Sequence, residues 1–99
     1  MSNLYNKSKM TGLGTYLKGE YEEIRRISED KEDMADTYEE WRENKIRLQI
    51  NLQSKGISTT DVLIHPVDLR EYCVRNGLKI NGRSRAQFVQ SKVKEQLRK

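Results

Sequence analysis

Only one short stretch of this 99-residue chain reads as a β-strand, and that fact limits its architecture more than any other. Val62-Leu63-Ile64 is an apolar, largely β-branched run that stops at His65-Pro66. A single strand cannot satisfy its own backbone N–H and C=O groups. It needs a mate, and no other segment reads as a good strand. The economical expectation is therefore a homodimer in which the strand, placed at about 61–65, pairs with its twin across a two-fold axis.

Helices are expected on both sides of it. Glu20 to Lys55 contains neither Gly nor Pro, and positions 17 to 52 follow a 3-4 alternation carrying Leu17, Ile24, Ile27, Met34, Tyr38, Trp41, Leu48 and Leu52. Heptad spacing of this kind fits a coiled coil or an antiparallel helical hairpin. The polar run Ser28-Glu29-Asp30-Lys31-Glu32-Asp33 and the Thr37/Glu40 capping box favour two helices, about 17–30 and 37–55, over one rod. The second carries two stripes, since Ile46 and Ile50 lie nearly opposite Tyr38, Trp41, Leu48 and Leu52 at 100° per residue. Two stripes suggest a sandwiched helix. The expected dimer or partner interface is thus Trp41, Ile46, Leu48, Ile50, Val62 and Ile64.

Lys55-Gly56-Ile57 and Asn76-Gly77-Leu78 each read as a Schellman stop, a left-handed glycine followed by an apolar residue. Pro66 suits a first helical turn and Asp68 complements its positive end, giving a helix at about 67–76 with Leu69, Tyr72 and Cys73 inward. Ser84 with Gln87 reads as a capping box opening a last helix, about 84–98, with Ala86, Val89, Val93 and Leu97 inward and Phe88 beside them. Gly12, Gly14 and Gly19 lie close together in a polar segment, so 1–19 reads as a flexible tail and 20–99 as a single small domain. The fold class expected is mainly α, or α+β with one short strand. With only 34% hydrophobic residues the core should be thin and gain from self-association.

Charge is segregated along the chain. Residues 1–19 carry +3, residues 20–43 carry −7 and residues 44–99 carry +8. Such asymmetry points to nucleic acid or another charged partner, or else to acidic and basic segments packed against each other.

Few residues could support catalysis. The single His65 and single Cys73 cannot furnish a zinc site, which needs three or four such ligands. Cys73 shares a face with Leu69 and Tyr72, where cysteine is a small hydrophobe. Gly14 and Gly19 have P-loop spacing, but Glu20-Tyr21 stand where Lys and Ser/Thr are required. The acidic run Glu29 to Asp33 lacks the spaced ligands and central Gly of an EF-hand. We expect no enzyme and no cofactor. With no signal-like h-region, no run long enough for a span and one cysteine, we expect a cytoplasmic protein away from membranes.

Binding remains. The order strand, helix, glycine turn, helix, with Pro66 and Leu69 opening one helix and Ser84-Arg85-Ala86-Gln87-Phe88-Val89 the next, resembles the ribbon-helix-helix family over the last 40 or so residues. The resemblance implies a dimer whose paired strands enter the DNA major groove, with the second helix's N-terminus on a phosphate. Phosphate contacts would fall to Arg83, Ser84, Arg85, Lys92, Lys94 and Arg98. The strand faces, Thr60/Val62/Ile64 and Asp61/Leu63/His65, hold none of the side chains that read bases. The leading expectation is therefore a small dimeric interaction or regulatory module for an unknown protein partner, with a ribbon-helix-helix-like DNA-binding regulator as the alternative.

Overall fold

The computed structural model describes residues 10–98, with side chains to residue 96. The described elements run β1 (Met10–Thr15), α1 (Lys18–Ile27), a 3-10 turn (Lys31–Asp33), α2 (Tyr38–Ser54), β2 (Ser58–Leu63), α3 (Pro66–Asn76) and α4 (Gly82–Arg98). It is a mainly helical α+β arrangement around a two-stranded parallel sheet.

The mate of β2 is in the same chain. β1 and β2 pair in parallel, Gly12 opposite Thr60 and Gly14 opposite Val62, and the Ile64 N–H donates to the Thr15 carbonyl at 2.9 Å. The expected lone strand thus has a mate at residues 10–15, a segment expected to be tail, and this edge of β2 needs no twin strand from a second copy. Residues 1–9 of that tail lie outside the described residues. The expected strand at 61–65 also begins three residues earlier, because Ser58, Thr59 and Thr60 align with Met10, Thr11 and Gly12.

The glycines of β1 are there for contact, not freedom. Their faces point at α4, and a Cβ on Gly12 would stand 2.6 Å from Val93 Cγ2 and 2.9 Å from Val89 Cγ1. One on Gly14 would stand 2.8 Å from Ile64 Cδ1. The two glycines flatten the strand so that Val89 and Val93 lie directly on its backbone. Val62 and Ile64 complete this side and are 4% and 1% exposed. Leu69 and Cys73 of α3, with Phe88 and Val89 of α4, close the core over them.

The aromatics join the same core. Tyr16, just past β1, meets Trp41 of α2 at 4.9 Å and Tyr21 of α1 at 5.4 Å between ring centroids. Tyr21 is fully buried, and its hydroxyl donates to the Ala35 carbonyl at 2.5 Å. That bond fixes the loop between α1 and α2. The chain leaves helix at Ser28 and re-enters at Tyr38, so there are two helices and no continuous rod.

α2 does not carry two buried stripes. Its inner face is Tyr38, Trp41, Lys45, Gln49 and Leu52, with Lys45 Nζ 2.8 Å from Asp61 Oδ1 and Gln49 Nε2 3.2 Å from Thr59 Oγ1 on β2. Ile46, Leu48 and Ile50 are exposed by 39%, 46% and 61%. Because polar residues on facing elements satisfy each other, the inner face need not be apolar.

Helix boundaries follow local chemistry. Thr37 caps α2, its hydroxyl accepting from the Glu40 N–H at 3.1 Å. Glu40 returns the bond one residue early, to the Asp36 N–H. Thr37→Ala should cost about 1 kcal/mol, measured as a lower urea midpoint at unchanged slope. Gly56 and Gly77 sit at φ +81° and +64°, and the amides of Ile57 and Leu78 reach back to the carbonyls of Leu52 and Cys73 as Schellman caps do. His65 precedes α3 with Pro66 in its first turn.

Candidate functional site

Two features outside the core could engage a ligand: the N-terminus of α4 and the outer edge of β1. The first is occupied from within. Asn81, not Ser84, opens α4: the Ser84 N–H donates to Asn81 Oδ1 and the Asn81 N–H to Ser84 Oγ, both at 3.0 Å. This is a capping box displaced three residues upstream of the expected Ser84/Gln87 pair. Asp30, from the joint after α1, then places its carboxylate on the new helix start, accepting from the Gly82 N–H at 3.0 Å.

Arg85 completes the lock. Its Nη2 is 2.8 Å from Asp30 Oδ2, and its Nη1 lies 3.0 Å from Asp30 Oδ1 and 2.9 Å from Ser28 Oγ. The side chains of Arg85 and Asp30 are only 12% and 23% exposed. The hydrogen-bonded Arg85 guanidinium holds the Asp30 carboxyl below the usual carboxylate range, against the opposing effect of partial burial. Glu29 extends the clamp, donating from its N–H to the Ile80 carbonyl at 2.9 Å and accepting from Asn81 Nδ2 at 2.8 Å.

A carboxylate thus stands where a phosphate was expected, and Ser84 and Arg85, expected as phosphate contacts, are engaged within the chain. Ser84 is 2% exposed and spent on the cap, and Arg85 is spent on Asp30. The remaining expected contacts scatter. Arg83 is exposed on the first turn of α4, and Lys92 lies near Glu95 at 3.9 Å and over the Phe88 ring at 5.5 Å. Lys94 is exposed farther along α4, and the Arg98 side chain lies outside the described ones.

The acidic segment is used in cis. Besides Asp30–Arg85, Glu23 approaches Arg70 at 3.5 Å and Glu20 holds His65 Nδ1 at 2.7 Å. Each bond joins α1 or the joint to the C-terminal half. His65 is therefore held by Glu20, while Cys73 is 2% exposed with its Sγ 3.9 Å from the Lys79 carbonyl.

The outer edge of β1 is different. The Thr15 carbonyl accepts from β2, so by the alternation of a parallel ladder the N–H and C=O groups of Met10, Gly12 and Gly14 point away from β2. Among the described residues no strand pairs with this edge. A groove of about 640 Å³ runs along it, floored by Met10 to Gly14 and walled by Ala86, Val89, Gln90, Val93 and Lys94 of α4, with Tyr16, Ile64 and Arg85 at its inner end. Sequence reasoning missed this site because it missed β1; the alternation Thr11, Leu13, Thr15 around two glycines was the available signal.

No protein-family model, characterised protein or solved structure matches this chain.

The expected interface residues divide. Val62 and Ile64 are core, Trp41 packs on the aromatic cluster, and only Ile46, Leu48 and Ile50 remain on the surface. They do so on opposite flanks of α2, Ile46 and Ile50 on one and Leu48 on the other, at 100° per residue. The ribbon-helix-helix likeness stops at the order of the last two helices, because the strand is paired in parallel within its own chain.

Proposed function

We propose that this protein is a non-enzymatic interaction module that binds an extended segment of a partner polypeptide along the outer edge of β1. The observation that supports this is the unpaired edge itself, bordered by a groove. Proteins usually blunt sheet edges with charged residues, proline or a covering element. Met10-Thr11-Gly12-Leu13-Gly14-Thr15 has no charge and no proline, and α4 covers its face but leaves the edge open. An incoming strand would gain main-chain hydrogen bonds there and place alternate side chains in the groove, the mode known as strand addition.

The test is titration of the isotope-labelled protein with a capped peptide alternating valine and threonine, followed by NMR. Amide shifts should concentrate at residues 10–14 and at Ala86, Gln90 and Lys94. Met10→Pro removes one outward donor at the first strand position, where proline is tolerated. It should weaken binding about tenfold while leaving the unfolding midpoint unchanged. Shifts spread evenly over the surface, or confined to α2, would contradict the proposal.

A second reading, nucleic-acid binding, draws on one observation. From Tyr72 to Lys94 the sequence holds six basic residues and no acid, and Arg75, Lys79 and Arg83 are exposed without an ion pair among the described residues. Binding to random duplex DNA through these three should fall steeply between 50 and 200 mM salt as counterions are released. No binding at the lower salt removes this reading.

A further inference from the structure

We infer that the occupant of the β1 groove is an acidic extended segment, one that alternates apolar side chains with carboxylates; this rests on the strand-addition reading above. The ionisable lining other than Tyr16 consists of Arg85 and Lys94, both basic, and no carboxylate lines the groove. Arg85 is already neutralised by Asp30 at 2.8 Å. Lys94 is exposed at the groove wall and has no carboxylate partner among the described residues. A strand laid beside β1 therefore meets one uncompensated ammonium and an otherwise uncharged surface.

The groove also sets the complementary pattern. Val89 and Val93 are held down on Gly12 and Gly14, so the surface left for the newcomer is the outward backbone of those glycines and the flank of α4 at Ala86, Gln90 and Lys94. In an alternating segment one set of side chains faces α4; there the carboxylates meet Lys94, and the apolar set turns to the opposite face of the added strand. A second copy of this chain meets the charge requirement poorly. Its own β1 carries no carboxylate, and each copy brings a further Lys94 and a net charge of +4.

The full-length protein distinguishes these occupants with three capped hexapeptides, alternating valine with glutamate, with threonine or with lysine. Isothermal titration at 50 and 300 mM salt reads affinity, and sedimentation velocity of the protein alone reads self-association. The glutamate peptide should bind about fivefold tighter than the threonine peptide at low salt, with the gap closing at high salt. Lys94→Glu should abolish that preference and turn it toward the lysine peptide, while Lys94→Gln only removes it. Equal binding of all three peptides overturns the inference and leaves strand addition standing. Binding of none overturns both. A dimer of the free protein that Met10→Pro dissociates also overturns the inference, because the edge is then filled by a second copy.

Discussion

Gly12→Val should lower the unfolding free energy by about 2–3 kcal/mol, with a fall in thermal midpoint of about 10–20 °C. The Cβ alone would lie 2.6 Å from Val93 and 2.9 Å from Val89, well inside contact distance. Relief requires Val89 and Val93 to leave their rotamers or α4 to lift off β1, and the latter uncovers Val62 and Ile64 as well. Part of the loss is offset because valine has less unfolded-state freedom and a better strand propensity than glycine. Gly19 is the internal contrast. It sits in the first turn of α1 with nothing within 4 Å of a would-be Cβ. Gly19→Ala should stabilise by about 0.5 kcal/mol through helix propensity. A destabilising Gly19→Ala with a neutral Gly12→Val would mean that the glycines of this segment serve turns rather than the contact with α4.

The second large effect belongs to Arg85. Arg85→Met removes both bonds to Asp30 and the bond to Ser28, leaving a partly buried carboxylate with the Gly82 N–H as its remaining partner from α4. Breaking one side of a buried pair costs about 3–5 kcal/mol, and the residual exposure of 12% and 23% places this one lower, at about 2–3 kcal/mol. Asp30→Asn should cost less than Arg85→Met, because an amide can still accept from Gly82. The double variant should recover about 1–2 kcal/mol relative to the sum of the singles, the signature of direct coupling.

Acid provides an independent check on the same pair. The Asp30 carboxyl titrates lower in the folded chain than in the unfolded one because of Arg85. Its contribution is therefore fully present above the unfolded value, near pH 4, and is lost as pH falls through the folded value. The parent protein should lose stability below about pH 4 more steeply than Asp30→Asn does. Parallel pH profiles of the two would show that the pair is not coupled to folding.

What the sequence revealed depended on how local the cause was. Thr37, Gly56, Gly77 and Pro66 mark helix ends through chemistry contained within a few residues, and the structure places helix ends at each. β1 was hidden because glycine ordinarily argues against a strand, and the reason for Gly12 and Gly14 lies about 75 residues away, at Val89 and Val93. The inner face of α2 was misread for a related reason. Lys45 and Gln49 occupy inward positions because Asp61 and Thr59 meet them there, and no periodicity rule registers a partner on another element. Asn81 was overlooked as the cap of α4 because Ser84, its reciprocal partner, looked like the cap itself. Of the site, the basic residues of α4 were legible by composition. That Arg85 was already taken by Asp30 was not.

The decisive quantity is residue-resolved amide exchange of β1 in the free protein and with the glutamate peptide. In the free protein Leu13 and Thr15, whose N–H groups face β2, should exchange slowly, and Gly12 and Gly14, whose N–H groups face outward, should exchange quickly. Saturating peptide should slow Gly12 and Gly14 and leave Leu13 and Thr15 unchanged. Uniformly fast exchange across residues 10–15 would contradict the β1–β2 pairing, and rapid exchange at Gly12 and Gly14 in the bound state would contradict strand addition at this edge.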